Sequence, residues 1–144
     1  MNTDKKQIEP TVRDLKGYKG KQKGIKKIKI KPALEIIENQ YQVENYRVEL
    51  KMEDFTCLCP KTGLPDFATI ILQYKPGKWL LEQKSLKLYL NAYRKLGIFQ
   101  EHATNKIFED FLAKTRPKWA KVITLWRVRG GIETRVEREY PPND

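Results

Sequence analysis

The chain has 144 residues, is 40% hydrophobic, and carries 29 lysines and arginines against 18 acids, a formal charge of +11. That length suits one domain with a real core and is short for two, and no run approaches the roughly 18 apolar residues of a membrane span. No apolar signal segment follows Met1, so a cytoplasmic chain is expected, with its two cysteines as thiols rather than a bridge.

Residues 1–31 show neither helical nor strand periodicity, and residues 16–31 are rich in lysine and glycine with no acid. Such a block predicts a disordered basic arm that touches polyanions weakly. The ordered domain is expected to start at Pro32 and run to 144. Ala33 to Asn39 suits a short helical turn. From Tyr41 the apolar residues Val43, Tyr46, Val48, Leu50 and Met52 mostly alternate, which predicts a half-buried strand. A second strand is predicted over 67–74, ended by Pro76 and Gly77. Helices are predicted over 85–96, with Gly97 as the stop, and over about 101–114, closed by Pro117. Two last strands, 121–128 and 132–139, flank Arg129-Gly130-Gly131, and the glycine pair suits a tight hairpin. The order strand, strand, helix, helix, strand, strand predicts an α+β domain with both helices on one face of a four-stranded antiparallel sheet. Its exposed edges invite pairing between copies, as a multi-subunit barrel with sites at the seams.

The stretch FTCLCPKTGLPDFAT, Phe55 to Thr69, holds both cysteines. Cys57, between Thr56 and Leu58, reads as a small buried hydrophobe. Cys59 precedes Pro60 and is biased to a turn. Asp66 stands where the chain re-enters a strand, so thiol and carboxylate can converge as nucleophile and acid/base partner. One histidine in the chain leaves no four-ligand set for a structural zinc, and no metal is expected. At Glu82-Gln83-Lys84-Ser85-Leu86-Lys87, Ser85 suits an N-cap or first turn, and Lys84 and Lys87 near free backbone N–H groups suit a phosphate. An ordinary amphipathic helix with solvated lysines fits the same spacing. No Gly-x-Gly-x-x-Gly fingerprint is present.

CPKTGLPDFATI and EQKSLKLYL, followed by FQE and RGGI, resemble in order the short, single-domain nitrile reductases of queuosine biosynthesis, the NADPH-dependent 7-cyano-7-deazaguanine reductases. The resemblance covers roughly residues 41–139. It implies a tunnelling fold (T-fold) that assembles into barrels, possibly stacked as a decamer. It implies Cys59 as the nucleophile that forms a thioimide and Asp66 as its proton partner. Glu82, Lys84, Ser85 and Lys87 match the NADPH signature, and Glu82 and Ser85 are also candidates for substrate contact. Arg129 and Gly130 match a turn credited with cofactor contact. Phe99 and Glu101 match positions that stack on the deazapurine and read its N–H groups, the latter expected as a buried carboxylate.

The sequence departs from the family pattern at Gln100, where many members have a histidine. His102 is the candidate proton donor in its place. Two other functions fit part of the pattern: an amidine-forming relative acting on deazaguanine in tRNA (archaeosine-type), and a non-catalytic basic nucleic-acid binder. The cofactor signature argues against the first, and the Cys59 and Asp66 pairing has no purpose in the second.

Overall fold

The computed structural model describes residues 22–143. The expected disorder of the basic arm lies, for residues 1–21, outside the described residues. The boundary expected at Pro32 moves back. Gln22–Lys27 forms a 3-10 turn, Ile25 is only 6% exposed, and Ile28 and Ile30 pack against the core. These isoleucines interrupt the lysines often enough to give the segment an apolar side to bury.

The elements that follow are β1 (Ile36–Glu38), β2 (Val48–Leu58), β3 (Pro65–Lys75), β4 (Trp79–Leu81), α1 (Gln83–Asn91), α2 (Gln100–Thr115), β5 (Trp119–Arg129) and β6 (Ile132–Tyr140). The main sheet has the order β2-β3-β5-β6, antiparallel throughout. β1 and β4 form a separate two-stranded ladder with Ile36 opposite Leu81. The helical turn expected at 33–39 is thus a strand. Its local propensity is overridden by pairing, and the backbone N–H of Glu82 extends the ladder by donating to the Glu35 carbonyl at 2.9 Å.

Strand alternation builds the core. Ala68, Ile70, Leu72 and Tyr74 of β3 and Ala120, Val122, Thr124 and Trp126 of β5 are buried on one face. Leu86, Tyr89 and Leu90 of α1 and Ile107, Phe108 and Phe111 of α2 are buried with them. Tyr74 meets Phe111 edge-on at 5.0 Å between ring centroids. Phe55 packs against Tyr93 at 5.4 Å and Trp126 at 5.9 Å. Each such side chain contributes on the order of 1.5–3 kcal/mol when taken out of water.

Two bulges adjust this alternation. Met52 lies opposite Ile70 and Phe55 opposite Ala68, so β2 carries one extra residue between them. Phe55 and Cys57 therefore share the inner face with Leu50 and Met52 although three positions, not two, separate Met52 from Phe55. On β5, Trp126 lies opposite Thr134 and Arg129 opposite Ile132, again one residue extra. Such an insertion re-aims a side chain, and here it brings Arg129 to the face of Trp126 rather than that of Arg127.

Other boundaries differ from expectation for local reasons. β2 begins at Val48, not Tyr41, and Val43 is 92% exposed. The predicted helix 85–96 starts earlier, at Gln83, and ends at Asn91. The chain then tightens through turns in which Tyr93 N–H donates to the Leu90 carbonyl at 3.1 Å and Leu96 N–H to that of Tyr93 at 3.0 Å. Gly97 is not its cap but forms a parallel bridge with Leu58. α2 ends on Arg116 in the left-handed region, φ 45°, whose N–H donates to the Leu112 carbonyl at 3.0 Å, ahead of Pro117. Among the described residues no helix is long and apolar enough to cross a membrane.

Candidate active site

The β2–β3 hairpin carries the cysteine. Leu58 and Pro65 are the last strand pair, and beyond them Cys59 N–H donates to the Leu64 carbonyl at 2.8 Å while Gly63 N–H donates to the Cys59 carbonyl at 2.8 Å. Gly63 has φ 73°, which a side chain would disfavour. Thr62 Oγ1 accepts from Leu64 N–H at 3.1 Å. The result is a closed loop with Cys59 at its base, partly exposed.

The segment before α2 is fastened to the same place. Leu58 N–H donates to the Leu96 carbonyl and Ile98 N–H to the Leu58 carbonyl, both at 3.0 Å. Two residues past Gly97, Phe99 therefore begins α2 beside the cysteine loop, and no side chain among the described residues caps that helix start by a hydrogen bond. Cys59, Thr62, Asp66, Phe99, Gln100, Glu101, Arg129, Gly130, Ile132 and Thr134 line one open groove of about 610 Å³.

Asp66 and Arg129 hold each other across this groove. Arg129 Nη1 donates to Asp66 Oδ1 at 2.7 Å and to the Pro65 carbonyl at 3.3 Å, and Nη2 donates to Thr62 Oγ1 at 3.0 Å. The carboxylate is 7% exposed and the guanidinium 31%. Gly130 and Gly131, at φ 59° and 79°, form the turn that follows. A Cβ on either would meet nothing within 4 Å, so their backbone angles and not lack of room call for glycine. Cys57, opposite Asp66 in the ladder, is fully buried, and its Sγ lies 3.7 Å from the Ile98 carbonyl. Burial first, then the negative charge of Asp66 and of Cys59, pushes its thiol up to about 12. Cys57 is thus the packed sulfur and Cys59 the accessible one.

Of the sequence-predicted residues, Cys59, Asp66, Phe99, Glu101, Arg129 and Gly130 come together, and Glu82, Lys84, Ser85, Lys87 and His102 do not line this groove. Glu101 is exposed at the groove rather than buried as expected. His102 points to a separate small cavity with Ile25, Lys26, Asn105, Lys106 and Glu109. One position along a helix is a turn of about 100°, which carries His102 away from the groove that Glu101 lines. Its ring meets Phe99 at 6.0 Å, its buried Nδ1 has no hydrogen-bond partner among the described residues, and burial holds its pKa below the ordinary value.

The start of α1 also differs from expectation. Glu82 is its N-cap, and its carboxylate accepts from Lys84 N–H at 2.9 Å and Ser85 N–H at 2.7 Å. These two N–H bonds lower the Glu82 pKa. The phosphate place expected on those N–H groups is taken by the chain's own carboxylate. Ser85 is 4% exposed. Its hydroxyl donates to the Glu82 carbonyl at 2.7 Å and accepts from Glu35 N–H at 2.9 Å, so both its capacities are used inside the fold. Lys84 and Lys87 are exposed and form no ion pair among the described residues. Lys87 and Gln83 line a second open cavity of about 440 Å³ between α1 and the β2 bulge, with Arg94 beside them. The bulge acids Glu53 and Asp54 line the same cavity, and Lys51 pairs with Glu53 at 3.9 Å, so its lining is mixed in charge.

Thr62, Ile132 and Thr134 are groove residues that sequence reasoning missed, and Thr62 is the one bonded to Arg129. The signal for Thr62 was its place between Cys59 and Asp66, but a threonine in a turn is ordinarily a local cap.

The family model described as QueF-like protein matches residues 65–144. Curated relatives extend the match. "NADPH-dependent 7-cyano-7-deazaguanine reductase" of Chloroherpeton thalassium is 50% identical over 112 residues, 77% of this chain and 97% of that protein. The chain belongs to the QueF-like family. The protein of the same name from Syntrophus aciditrophicus is 50% identical over 107 residues, 74% of this chain and 76% of that one. Among solved structures, the apo form of the archaeosine synthase QueF-Like aligns with a TM-score of 0.62 at 24% identity, covering 67% of this chain and 94% of that one. At that identity the likeness is one of fold, and the α+β T-fold expected from the motifs is the fold observed.

Proposed function

We propose that this chain reduces the nitrile of 7-cyano-7-deazaguanine to the aminomethyl group of 7-aminomethyl-7-deazaguanine in queuosine tRNA modification. The observation that carries this reading is one groove lined by Cys59, Asp66, Phe99 and Glu101 in a chain that is 50% identical, over 107 to 112 residues, to proteins named as the NADPH-dependent reductase.

A nitrile carbon is a weak electrophile, and a thiolate is the side chain best able to attack it near neutral pH. As the Cys59 sulfur bonds to that carbon, one π bond of the nitrile opens. The thiol proton passes to Asp66 and from there to the nitrile nitrogen, so the thioimide forms without net gain or loss of protons. Phe99 offers a ring face to the base, and Glu101 accepts from its amino and ring N–H groups, closing over the substrate from the mouth of the groove. NADPH, when bound, supplies the hydride equivalents, two per nitrile carried to the amine. Lys84 and Lys87 would hold its phosphates.

These lysines lie outside the Cys59 groove of their own chain, and the sheet has open edges at β2 and β6. Phe67, Leu125, Val128 and Ile132 are between 40% and 69% exposed. A barrel of several copies that buries them and brings α1 of one subunit towards the groove of the next is the arrangement we favour. Light scattering after gel filtration should give a multimer; a monomer at micromolar concentration would refute the arrangement.

The chemical test is direct. Protein mixed with 7-cyano-7-deazaguanine should gain the mass of the base at Cys59 and develop thioimide absorbance, and Cys59→Ala should do neither. NADPH oxidation should follow at two per product. An adduct without NADPH oxidation, with ammonia entering modified tRNA, would transfer the protein to the amidine-forming reading.

A further inference from the structure

The motif resemblance credits Arg129 with cofactor contact, but its hydrogen bonds lead elsewhere. We propose that Arg129 is a positioning residue for the covalent step, aligning Asp66 and the Cys59 loop before any cofactor arrives; this rests on the reductase reading. One guanidinium spans three points of the hairpin: Asp66 Oδ1 at 2.7 Å, the Pro65 carbonyl at 3.3 Å and Thr62 Oγ1 at 3.0 Å.

The contact with Thr62 is the informative one. Thr62 Oγ1 also accepts from Leu64 N–H at 3.1 Å, and the Leu64 carbonyl accepts from Cys59 N–H at 2.8 Å. A run of three hydrogen bonds therefore connects the guanidinium to the backbone of the nucleophile, while the other arm of the fork grips the proton partner. The Cys59 loop and Asp66 are thus joined by a side chain that is neither the nucleophile nor its proton partner. Two features of the β5–β6 hairpin serve this contact: the bulge between Trp126 and Arg129 returns Arg129 to the Asp66 face, and the Gly130-Gly131 turn reverses the chain immediately beyond it.

A lysine cannot reproduce the arrangement. Its ammonium is a single point, whereas the planar fork holds Asp66 and Thr62 together. The fork also fixes one carboxylate oxygen of Asp66, Oδ1.

The experiment separates this role from cofactor binding by omitting NADPH. Rates of thioimide formation are measured by stopped-flow absorbance and intact mass for wild type, Arg129→Ala, Arg129→Lys and Thr62→Val, and the KM for NADPH is measured separately. Arg129→Ala should form the adduct about 10–100-fold more slowly, the usual consequence of releasing a partner that orients a reacting group. Arg129→Lys should recover part of that loss. Thr62→Val, which keeps every charge, should slow the adduct roughly threefold to tenfold and leave the KM for NADPH unchanged. Wild-type adduct rates in Arg129→Ala and Thr62→Val, with only the KM for NADPH raised, would overturn the proposal and return Arg129 to the cofactor. Absence of the adduct in wild type would instead remove the reductase reading itself, and this inference with it.

Discussion

Replacing Ser85 by alanine distinguishes a residue that serves the fold from one that serves a ligand. The hydroxyl donates to the Glu82 carbonyl at 2.7 Å and accepts from Glu35 N–H at 2.9 Å. Alanine abolishes both bonds and leaves the Glu35 N–H, at the junction of the β1–β4 ladder with α1, without its acceptor. An unmade, partly buried hydrogen bond costs about 1–3 kcal/mol, and the better helix propensity of alanine returns about 0.5 kcal/mol. The net loss is about 0.5–2.5 kcal/mol, which for a domain of this size lowers Tm by roughly 2–10 °C. Differential scanning calorimetry at matched protein concentration should record that shift, with the KM for NADPH changed less than about threefold, a difference worth under 1 kcal/mol. An unchanged Tm with a KM raised tenfold or more would refute the reasoning and make Ser85 a cofactor ligand.

Three further outcomes are expected. Iodoacetamide at pH 8 should label Cys59 and spare Cys57 in the native protein, since a thiol pushed up to about 12 is ionised in on the order of one molecule in ten thousand at that pH; peptide mass mapping reads the result, and labelling of Cys57 at the Cys59 rate would contradict its burial. His102 has a folded pKa below its unfolded value, so the unfolded chain binds the extra proton and stability falls as pH drops through about 6.5. In His102→Gln the urea stability at pH 5 and pH 7.5 should differ by less than in wild type, and an equal difference would show that His102 is not the group involved. Ile25→Ala, deep within the stretch expected to be an arm, should cost about 2 kcal/mol in urea unfolding because its side chain is 6% exposed; a change within 0.5 kcal/mol, the usual range for surface substitutions, would mean that residues 22–31 do not dock.

The sheet and the two long helices were legible in the sequence because Phe67 to Tyr74 and Lys121 to Val128 are rich in β-branched and aromatic residues, while Ala103, Ile107, Phe108, Phe111 and Leu112 repeat at helical spacing. Cys59 and Asp66 were legible from chemistry and from the motif they share. The bulges were not, because an extra residue in a strand looks like a lapse in alternation, as at Glu53-Asp54. Nor was β1, whose three residues gain their conformation from Trp79–Leu81, more than forty positions away. The lysine run from 16 to 31 outweighed its three isoleucines in any average of composition, yet Ile25 is buried and Ile28 and Ile30 pack beside the core. Ser85 and Glu82 show a further limit. A side chain that caps a helix and one that binds a phosphate there have the same residue types, and the hydrogen bonds alone tell which of the two it is.

Leu58 has both of its peptide groups committed to the strand of chain that precedes α2. The sulfur of the next residue and the aromatic ring at position 99 are consequently mounted on one bracket, and a breathing motion of the sheet displaces them in concert. Attempts to retune the groove for a bulkier or smaller base can therefore vary Phe99, Gln100 or Glu101 by side chain alone, whereas lengthening the connection at Leu96 to Ile98 would detach the nucleophile from the surface that presents its target.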